Sequence, residues 1–170
     1  MQSDLDAIAA AFSAGIGEAL LARLTCSLAE LLSAEHVFIG RLAGDTRDRV
    51  EMISYCECGE AAPNRTYQLA NTPCEDVIGA SEICVFAPEV WRMYPKDQML
   101  VDLRAQSYIG TPIRQSLGTV IGLMAVIARH PIGDVARARA LVQLYAGRAA
   151  LEMERMRIDN ELLRLATSGR

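Results

Sequence analysis

The segment YIGTPIRQSLGTVIGLMAVIA, residues 108–128, consists of two apolar runs separated by a short polar loop. The runs cover Tyr108–Arg114 and Thr119–Ala128, and the loop ends at Gly118, where a positive φ is expected. Short runs that are rich in β-branched residues and bounded by turn residues are typical of strands. The segment therefore predicts an antiparallel hairpin, the clearest in the chain.

Strand-like runs also occur earlier in the chain. His36–Leu42 and Val50–Cys58 flank a turn at Gly44 and predict a second hairpin. Thr66–Leu69 predicts a further short strand. The region 72–104, called the insert below, is interrupted repeatedly by proline and glycine, so only short elements are expected in it. These are helices around Glu75–Ile78, Glu89–Met93 and Asp97–Arg104, and a strand at Cys84–Phe86.

Both ends of the chain show helical periodicity. Apolar residues recur at steps of three and four over residues 5–32, but Gly15 and Gly17 weaken the pattern, so two helices are expected there. Near the other end, Asp134 is placed to cap a helix that continues to about Ala166. Strands enclosed by two terminal helices predict an α+β fold, with those helices packed together on one face of the sheet.

Composition and charge exclude several classes of protein. The chain has 170 residues, of which 51% are hydrophobic, so it can bury the core of one domain. Its net charge of -4 provides no basic surface for phosphates, and no nucleic-acid partner is expected. No apolar run approaches the roughly 18 residues of a membrane span, and no signal peptide is visible, so we expect no membrane association and a cytoplasmic location. The five cysteines are an odd number, which favours free thiols.

A series of motifs points to a known family. They are, in chain order, LANTPCEDV at 69–77, CVF at 84–86, MYP at 93–95, SYIGTPI at 107–113 and AALEMER at 149–155. Together they resemble bacterial GAF domains of the kind found in sensor kinases and cyclic-di-nucleotide signalling proteins. The likeness covers roughly Ile16 to Arg157. An ordered series of motifs is stronger than any single one.

The resemblance implies a fold, a division of the chain and a role. The fold is GAF-like, related to PAS and profilin, with a central antiparallel sheet of about six strands. The N- and C-terminal helices pack on one face of this sheet, and short helices and loops cap the other. The GAF domain would cover residues 16–157, between a helical extension at 1–15 and a helix extension and tail at 158–170. The implied role is sensory or regulatory, without catalysis, in bacterial signal transduction.

The resemblance also places a small-molecule pocket under the insert. Its candidate residues are Cys56, Tyr67, Thr72, Cys74, Glu75, Val77, Cys84, Trp91, Tyr94, Tyr108, Gly110 and Met124. Aromatic faces such as that of Trp91 can wall a pocket or fill a core, and Thr72 can anchor a ligand or cap a helix. Cys74, at a predicted helix N-terminus, is either a redox-sensing thiol of lowered pKa or a buried structural residue.

Catalytic and metal-binding patterns are missing from the sequence. Some GAF-fold proteins reduce free methionine sulfoxide with a cysteine just before the strand that corresponds to Ser107–Ile113. Cys74 and Cys84 occupy plausible resolving positions for such chemistry, but 96–106 contains no cysteine nucleophile. The chain also lacks paired C-x-x-C motifs, so neither zinc nor another cofactor is expected. A thiol-based redox sensor or a methionine sulfoxide reductase-like enzyme thus remains only as a second alternative to the sensory domain.

The last helix shows a seven-residue repeat that predicts a dimer. The residues of this predicted seam are Val142, Ala146, Ala149, Met153, Met156 and Leu163. Glu152 and Arg155 are expected to flank the seam as charged positions. We expect a homodimer whose terminal helices relay pocket occupancy to a downstream kinase or cyclase domain. The first alternative is a ligand-free module for dimerisation or protein interaction.

Overall fold

An antiparallel sheet of seven strands forms the centre of the structure, a computed structural model in which residues 2–169 are described. The strands are β1 (His36–Ala43), β2 (Arg49–Glu57), β3 (Glu60–Ala61), β4 (Thr66–Gln68), β5 (Cys84–Phe86), β6 (Ser107–Arg114) and β7 (Val120–Ala128). Their order across the sheet is β3-β2-β1-β7-β6-β5, and β4 pairs separately with β2. The strand beyond the expected six is β3, which is too short to show alternation in the sequence.

Both predicted hairpins are confirmed. The β6–β7 loop turns at Gly118 with a φ of 90°, and the hairpin pairs Tyr108 with Ile127. β1 pairs with β2 on one side and with β7 on the other, which joins the two hairpins into one sheet. The join is close at Gly122, where an added Cβ would lie 2.1 Å from the carbonyl oxygen of Gly40. A side chain at Gly122 would therefore push β1 and β7 apart.

Six helices complete the described part of the fold: α1 (Gln2–Phe12), α2 (Gly17–Leu32), α3 (Pro73–Ala80), α4 (Val90–Met93), α5 (Gln98–Leu103) and α6 (Val135–Ser168). The expected break between the first two helices is confirmed, since α1 ends at Phe12 and α2 begins at Gly17. The start of α6 is fixed by the carboxylate of Asp134, which accepts a hydrogen bond from the backbone N–H of Arg137 at 2.9 Å.

The two faces of the sheet carry separate cores, because side chains alternate along each strand. On one face α2 and α6 pack against the strands, and we call this the helix-side core; Leu24, Val126 and Val142 are fully buried in it. On the other face the short helices of the insert cover the insert-side core, in which Phe38 and Leu100 are buried. The predicted α+β architecture, with terminal helices on one face and short helices on the other, is confirmed.

The predicted strand 50–58 extends one residue too far at its end. The strand ends at Glu57, so Cys58 does not share a strand face with Cys56. Cys58 has a positive φ of 49°, and its N–H donates to the carbonyl of Glu35 at 2.7 Å in the turn towards β3. Cys58 is exposed whereas Cys56 is buried, so the two thiols lie in different environments.

Candidate ligand pocket

The insert covers a hollow of about 340 Å³ on its side of the sheet. The sheet residues that line this hollow are Phe38, Met52, Tyr108 and Ile127, and the residues around them are Arg65–Gln68, Ala70, Thr72–Cys74 and Lys96–Met99. Two larger concavities, of about 830 and 560 Å³, lie elsewhere, one along the second half of α6 and the other between α1 and α2. The hollow differs from both in holding a buried cluster of polar side chains.

Two tyrosines and a cysteine form this buried cluster. The hydroxyl of Tyr67 donates to Sγ of Cys74 at 3.2 Å, and the hydroxyl of Tyr108 lies 3.1 Å from the same sulfur. Burial raises the pKa of Cys74 to about 11 and raises those of Tyr67 and Tyr108 above their usual range. All three side chains are therefore uncharged at neutral pH. They present O–H and S–H groups to the hollow.

Cys74 is positioned by the first turn of α3. Pro73 starts this helix, and Thr72 precedes it with extended backbone angles. The hydroxyl of Thr72 donates to the carbonyl of Leu69 at 2.6 Å. It makes no capping bond, so the alternative in which this side chain caps the helix is wrong. The expectation that the helix N-terminus lowers the pKa of Cys74 is also wrong, because burial outweighs it. Of the two alternatives for Cys74, the structure supports the buried one.

The mouth of the hollow carries charges of both signs. Arg65 and Lys96 are exposed there, and the Arg65 guanidinium lies 5.7 Å from the ring centroid of Tyr55. Asp97 is half-buried, accepts from the backbone N–H of Leu100 at 3.3 Å and so begins α5. Burial raises the pKa of Asp97. The hollow thus has a charged rim and an uncharged floor.

Of the twelve candidate residues, four line the hollow: Tyr67, Thr72, Cys74 and Tyr108. Six others lie on the insert side without lining it: Glu75, Val77, Cys84, Trp91, Tyr94 and Gly110. Tyr94 packs edge to face on Phe86, with centroids 5.4 Å apart, and donates to the carboxylate of Asp76. Trp91 stacks under the guanidinium of Arg92 at 4.9 Å. These two aromatics therefore pack the cap and do not wall the hollow.

Cys56 and Met124 are corrections to the predicted pocket. Both are fully buried in the helix-side core, on the opposite face of the sheet. Strand periodicity puts alternate residues on one face, but it does not say which face the insert covers. Tyr108 lies on the insert side of the sheet, and its partner across the ladder, Ile127, lies on the same side. The residues next to Ile127 along β7 therefore face the helix side.

Several lining residues were missed by the sequence reasoning, namely Phe38, Met52, Arg65, Lys96, Asp97, Met99 and Ile127. Alternation along β1 and β7 could have suggested Phe38 and Ile127 once the strand registers were known. No local pattern marks Arg65 or Lys96, because these residues meet only through the packing of the insert against β4.

The predicted seam on α6 is a second correction. Val142, Ala146, Ala149 and Met153 are between 0% and 8% exposed, and they pack into the helix-side core of their own chain. They are therefore unavailable to a partner. Leu163 is 65% exposed, beyond the end of the sheet.

Glu152 is buried, contrary to the expectation that it flanks a seam as an exposed charge. Its carboxylate accepts from the backbone N–H of Gly17 at 2.6 Å, at the first turn of α2, and from Nε and Nη2 of Arg155 at 2.9 and 2.6 Å. The Arg155 guanidinium and the Gly17 N–H lower the pKa of Glu152. This carboxylate thus joins the two terminal helices.

Among residues 2–169, no three histidine, cysteine or acidic side chains lie close enough to hold a metal ion. None of the helices described is both long and apolar enough to span a bilayer. An antiparallel sheet with paired terminal helices on one face and a hollow under short helices on the other defines a domain of the PAS and GAF type of architecture.

Comparison of the whole fold with solved structures makes this assignment specific. The nlh2 GAF domain of A. aeolicus, in an inactive state, superposes with a TM-score of 0.69 at 13% identity, covering 90% of this chain and 96% of that one. The GAF domain of an Acinetobacter phosphoenolpyruvate-protein phosphotransferase gives 0.67 at 15% identity, covering 94% and 96%. A far-red cyanobacteriochrome photoreceptor gives 0.63 at 18% identity, covering 91% and 95%. The chain has the fold of a GAF domain.

Comparison at the level of sequence identifies no further relatives. No family model matches the chain, and no curated protein matches it. At identities of 13–18% the shared feature is the fold, and the function has to be argued from the residues of this chain.

Proposed function

We propose that this chain is a sensory or regulatory domain that binds a small molecule in the hollow under the insert. In this proposal occupancy is relayed through the terminal helices of a homodimer. The observation that carries the proposal is the neutral cluster of Tyr67, Cys74 and Tyr108 on the floor of the hollow, beside apolar wall residues such as Phe38 and Met52. Pockets that combine apolar walls with a few convergent polar groups are typical of small-molecule sites.

The chemistry of the walls narrows the ligand class. Aromatic and thioether side chains from Phe38, Met52 and Met99 favour a compact, mainly apolar body. The neutral floor favours an uncharged hydrogen-bonding group at the inner end of the ligand. The exposed cations Arg65 and Lys96 at the mouth favour a negative group, if the ligand has one, at the outer end.

Strand β6 provides a route from the hollow to the terminal helices. Tyr108 faces the hollow, while the next residue, Ile109, is buried on the opposite face in the same core as α6. The hydroxyl of Ser107 accepts from the N–H of Ile132 at 3.3 Å, close to the start of α6. A ligand that moves Tyr108 thereby acts on a strand that contacts α6 directly. Coupling of this kind is typically worth about 1–3 kcal/mol.

The proposal is of a non-catalytic domain. The one buried thiol in the hollow, that of Cys74, has a pKa raised to about 11, which disfavours the thiolate needed for nucleophilic or redox chemistry at neutral pH. We further propose a cytoplasmic location, supported by five free cysteines, and a kinase or cyclase domain or partner as the output.

Two measurements test the proposal: retention of a small molecule by the purified protein, and loss of binding when a larger side chain fills the hollow. Native mass spectrometry of freshly purified protein is expected to show a bound small molecule. 8-Anilinonaphthalene-1-sulfonate, an apolar anion, is expected to bind the emptied protein with enhanced fluorescence. Met99→Trp should abolish both signals, because the indole occupies the hollow. Met93→Trp is the matched control, since Met93 is 50% exposed on α4 and does not line the hollow.

Two results contradict the proposal. One is a protein that carries no small molecule and gives the same dye fluorescence with and without Met99→Trp. The other is equal loss of signal in Met93→Trp, which would place the dye outside the hollow. Either result favours the ligand-free interaction module.

A further inference from the structure

Three of the five cysteines are grouped where α2 packs on the end of β2, away from the hollow. Cys26 is half-buried on α2 and packs against the helix-side core, in which Cys56 of β2 is fully buried. Cys58 follows in the exposed turn after β2. The function proposed above uses none of these thiols, so their grouping at one place in the fold needs a separate explanation.

The position of α2 across β2 brings Cys26 and Cys56 together. The hydroxyl of Thr25, the residue before Cys26, lies 3.1 Å from the hydroxyl of Ser54. Cys56 comes two residues after Ser54 and therefore lies on the same face of β2. Burial raises the pKa of Cys56 to about 12, and the adjacent thiol of Cys26 contributes to this rise. Two sulfur atoms from different elements are thus neighbours in the folded protein.

Solvent reaches only one of these two thiols directly. Cys26 lines the concavity of about 560 Å³ between α1 and α2, together with Arg23 and Ser27. Cys56 is fully buried, and its raised pKa keeps the thiol protonated, which makes it a poor first target for an oxidant. A small oxidant therefore meets Cys26 first, and Cys56 lies behind it as a second thiol.

The remaining cysteines are less well placed. Cys74 and Cys84 lie on the insert side, and burial raises the pKa of each thiol. Cys58 is exposed and lines the same concavity as Cys26. Because the thiol next to Cys26 in the core is that of Cys56, we expect Cys56 to be the partner of Cys26, and Cys58 to be the competing candidate.

We propose that Cys26 is a site of reversible oxidation by hydrogen peroxide, and that Cys56 is the partner with which it closes an intramolecular disulfide. In the first step the sulfur of Cys26 takes a hydroxyl group from the peroxide and becomes a sulfenic acid, and the other half of the peroxide leaves as water. In the second step the sulfur of Cys56 attacks the sulfenic sulfur. The S–S bond forms, the S–O bond breaks, and the hydroxyl group leaves with the proton of Cys56 as a second water. Two thiols are thus oxidised while one peroxide is reduced to water.

The oxidised site lies beside a contact between the terminal helices. Ser27 follows Cys26 on α2, and its hydroxyl lies 2.7 Å from the hydroxyl of Tyr145 on α6. Tyr145 also packs edge to face on Phe12 of α1, with ring centroids 5.1 Å apart. An S–S bond of about 2 Å is shorter than any non-bonded contact between two sulfur atoms, so the disulfide draws α2 towards β2 next to this contact. Oxidation is therefore an input separate from the hollow.

Peptide mapping of the full chain tests the pairing. The reduced protein is treated with a small excess of hydrogen peroxide, blocked with iodoacetamide and cleaved after glutamate under non-reducing conditions. Cleavage after Glu57 separates Cys56 from Cys58, so the two candidate partners occur in different peptides. The expected product is a disulfide between peptides 19–30 and 52–57. Dithiothreitol should release it, and a non-reducing denaturing gel should show a single chain.

Matched variants assign the roles of the thiols. Cys58→Ser and Cys84→Ser should keep the disulfide, whereas Cys26→Ser and Cys56→Ala should lose it. In Cys56→Ala the sulfenic acid of Cys26 loses its partner, so dimedone should label peptide 19–30, which stays unlabelled in the fully oxidised parent. Cys26 is half-buried, so Cys26→Ser tests the pairing without removing a side chain from the centre of the core.

Three results overturn the proposal: a Cys26 thiol that stays reduced while peroxide oxidises Cys58, a disulfide from Cys26 to Cys58 that disappears in Cys58→Ser, or a linkage between two chains. The test is independent of the hollow. Cys26→Ser should bind 8-anilinonaphthalene-1-sulfonate as the parent does, because Cys26 does not line the hollow. Failure of the disulfide therefore leaves the ligand proposal intact, and failure of dye binding leaves the disulfide intact.

Discussion

The two faces of the sheet are covered in different ways, and the difference explains where a ligand site can form. On the helix side, helices of 16 and 34 residues lay continuous apolar stripes on the strands, and the core is closed. On the insert side, the covering helices have only eight, four and six residues and are joined by loops. Short helices cannot fill a flat sheet surface evenly, so a hollow of about 340 Å³ remains. The helix-side core thus contributes most to stability, whereas the insert side keeps an unfilled hollow.

Truncation of a large side chain on each face is the strongest test of this contrast. Leu24→Ala should lower the free energy of unfolding by about 3–5 kcal/mol, because Leu24 is fully buried in the helix-side core and its removal leaves a cavity. Met99→Ala should cost less than about 2 kcal/mol, because Met99 already borders a hollow. Urea unfolding measures both. Equal losses would contradict the distinction between a closed and an open face.

The carboxylate that joins the terminal helices should give the next largest effect. Glu152→Gln keeps an oxygen that can accept the same hydrogen bonds but removes the charge. We expect the free energy of unfolding to fall by about 1–2 kcal/mol, a modest loss because the Arg155 side chain is 39% exposed to solvent. Glu161→Gln is the control, since Glu161 forms an exposed ion pair with Arg164 at 2.7 Å and should give no measurable change.

The effect of Glu152 should depend on pH in one direction. Because its folded-state pKa is lowered, the ionised carboxylate stabilises the fold above the unfolded pKa of about 4.3, and this contribution is lost as the pH falls through the folded pKa. The stability difference between the parent and Glu152→Gln should therefore be full at pH 7 and shrink below about pH 4. A difference that stays constant from pH 7 to pH 3 would show that the charge is not its source.

Removal of single hydroxyl groups is the finest test of the two faces. Tyr145→Phe deletes a 2.7 Å hydrogen bond with Ser27 and should cost about 1 kcal/mol. Tyr108→Phe deletes a weaker bond with the Cys74 thiol and should cost about 0.5 kcal/mol. Dye binding should respond in the opposite order, changing in Tyr108→Phe and staying the same in Tyr145→Phe. Unchanged dye binding in both variants would argue that the hydroxyl of Tyr108 is not part of the site.

The sequence predicted the framework more successfully than the site, and particular residues show why. Gly118, Asp134 and the glycines near residue 15 act on their immediate neighbours, so the hairpin turn, the helix start and the helix break could be read locally. Cys56 and Met124 were placed on the wrong face, because alternation defines two faces without naming the one under the insert.

The two heptad patterns of α6 show the same limit. The Val142 series and the Leu144 series both repeat every seven residues, and periodicity alone gives no reason to prefer one. Only the packing of α6 on the sheet shows that Val142 and Ala149 of the first series are buried, whereas the members of the second series, Leu144, Leu151, Ile158 and Leu165, are exposed.

The sequence by itself determined the α+β order, both hairpins, the terminal helices and the approximate position of the insert, because each depends on contacts between residues near in the chain. Tertiary structure alone decided which strand face the insert covers, that Tyr67, Cys74 and Tyr108 meet, and that Glu152 is buried at the start of α2. It also decided that burial outweighs the helix N-terminus at Cys74. Burial and distant contacts set these features, and neither is encoded in local spacing.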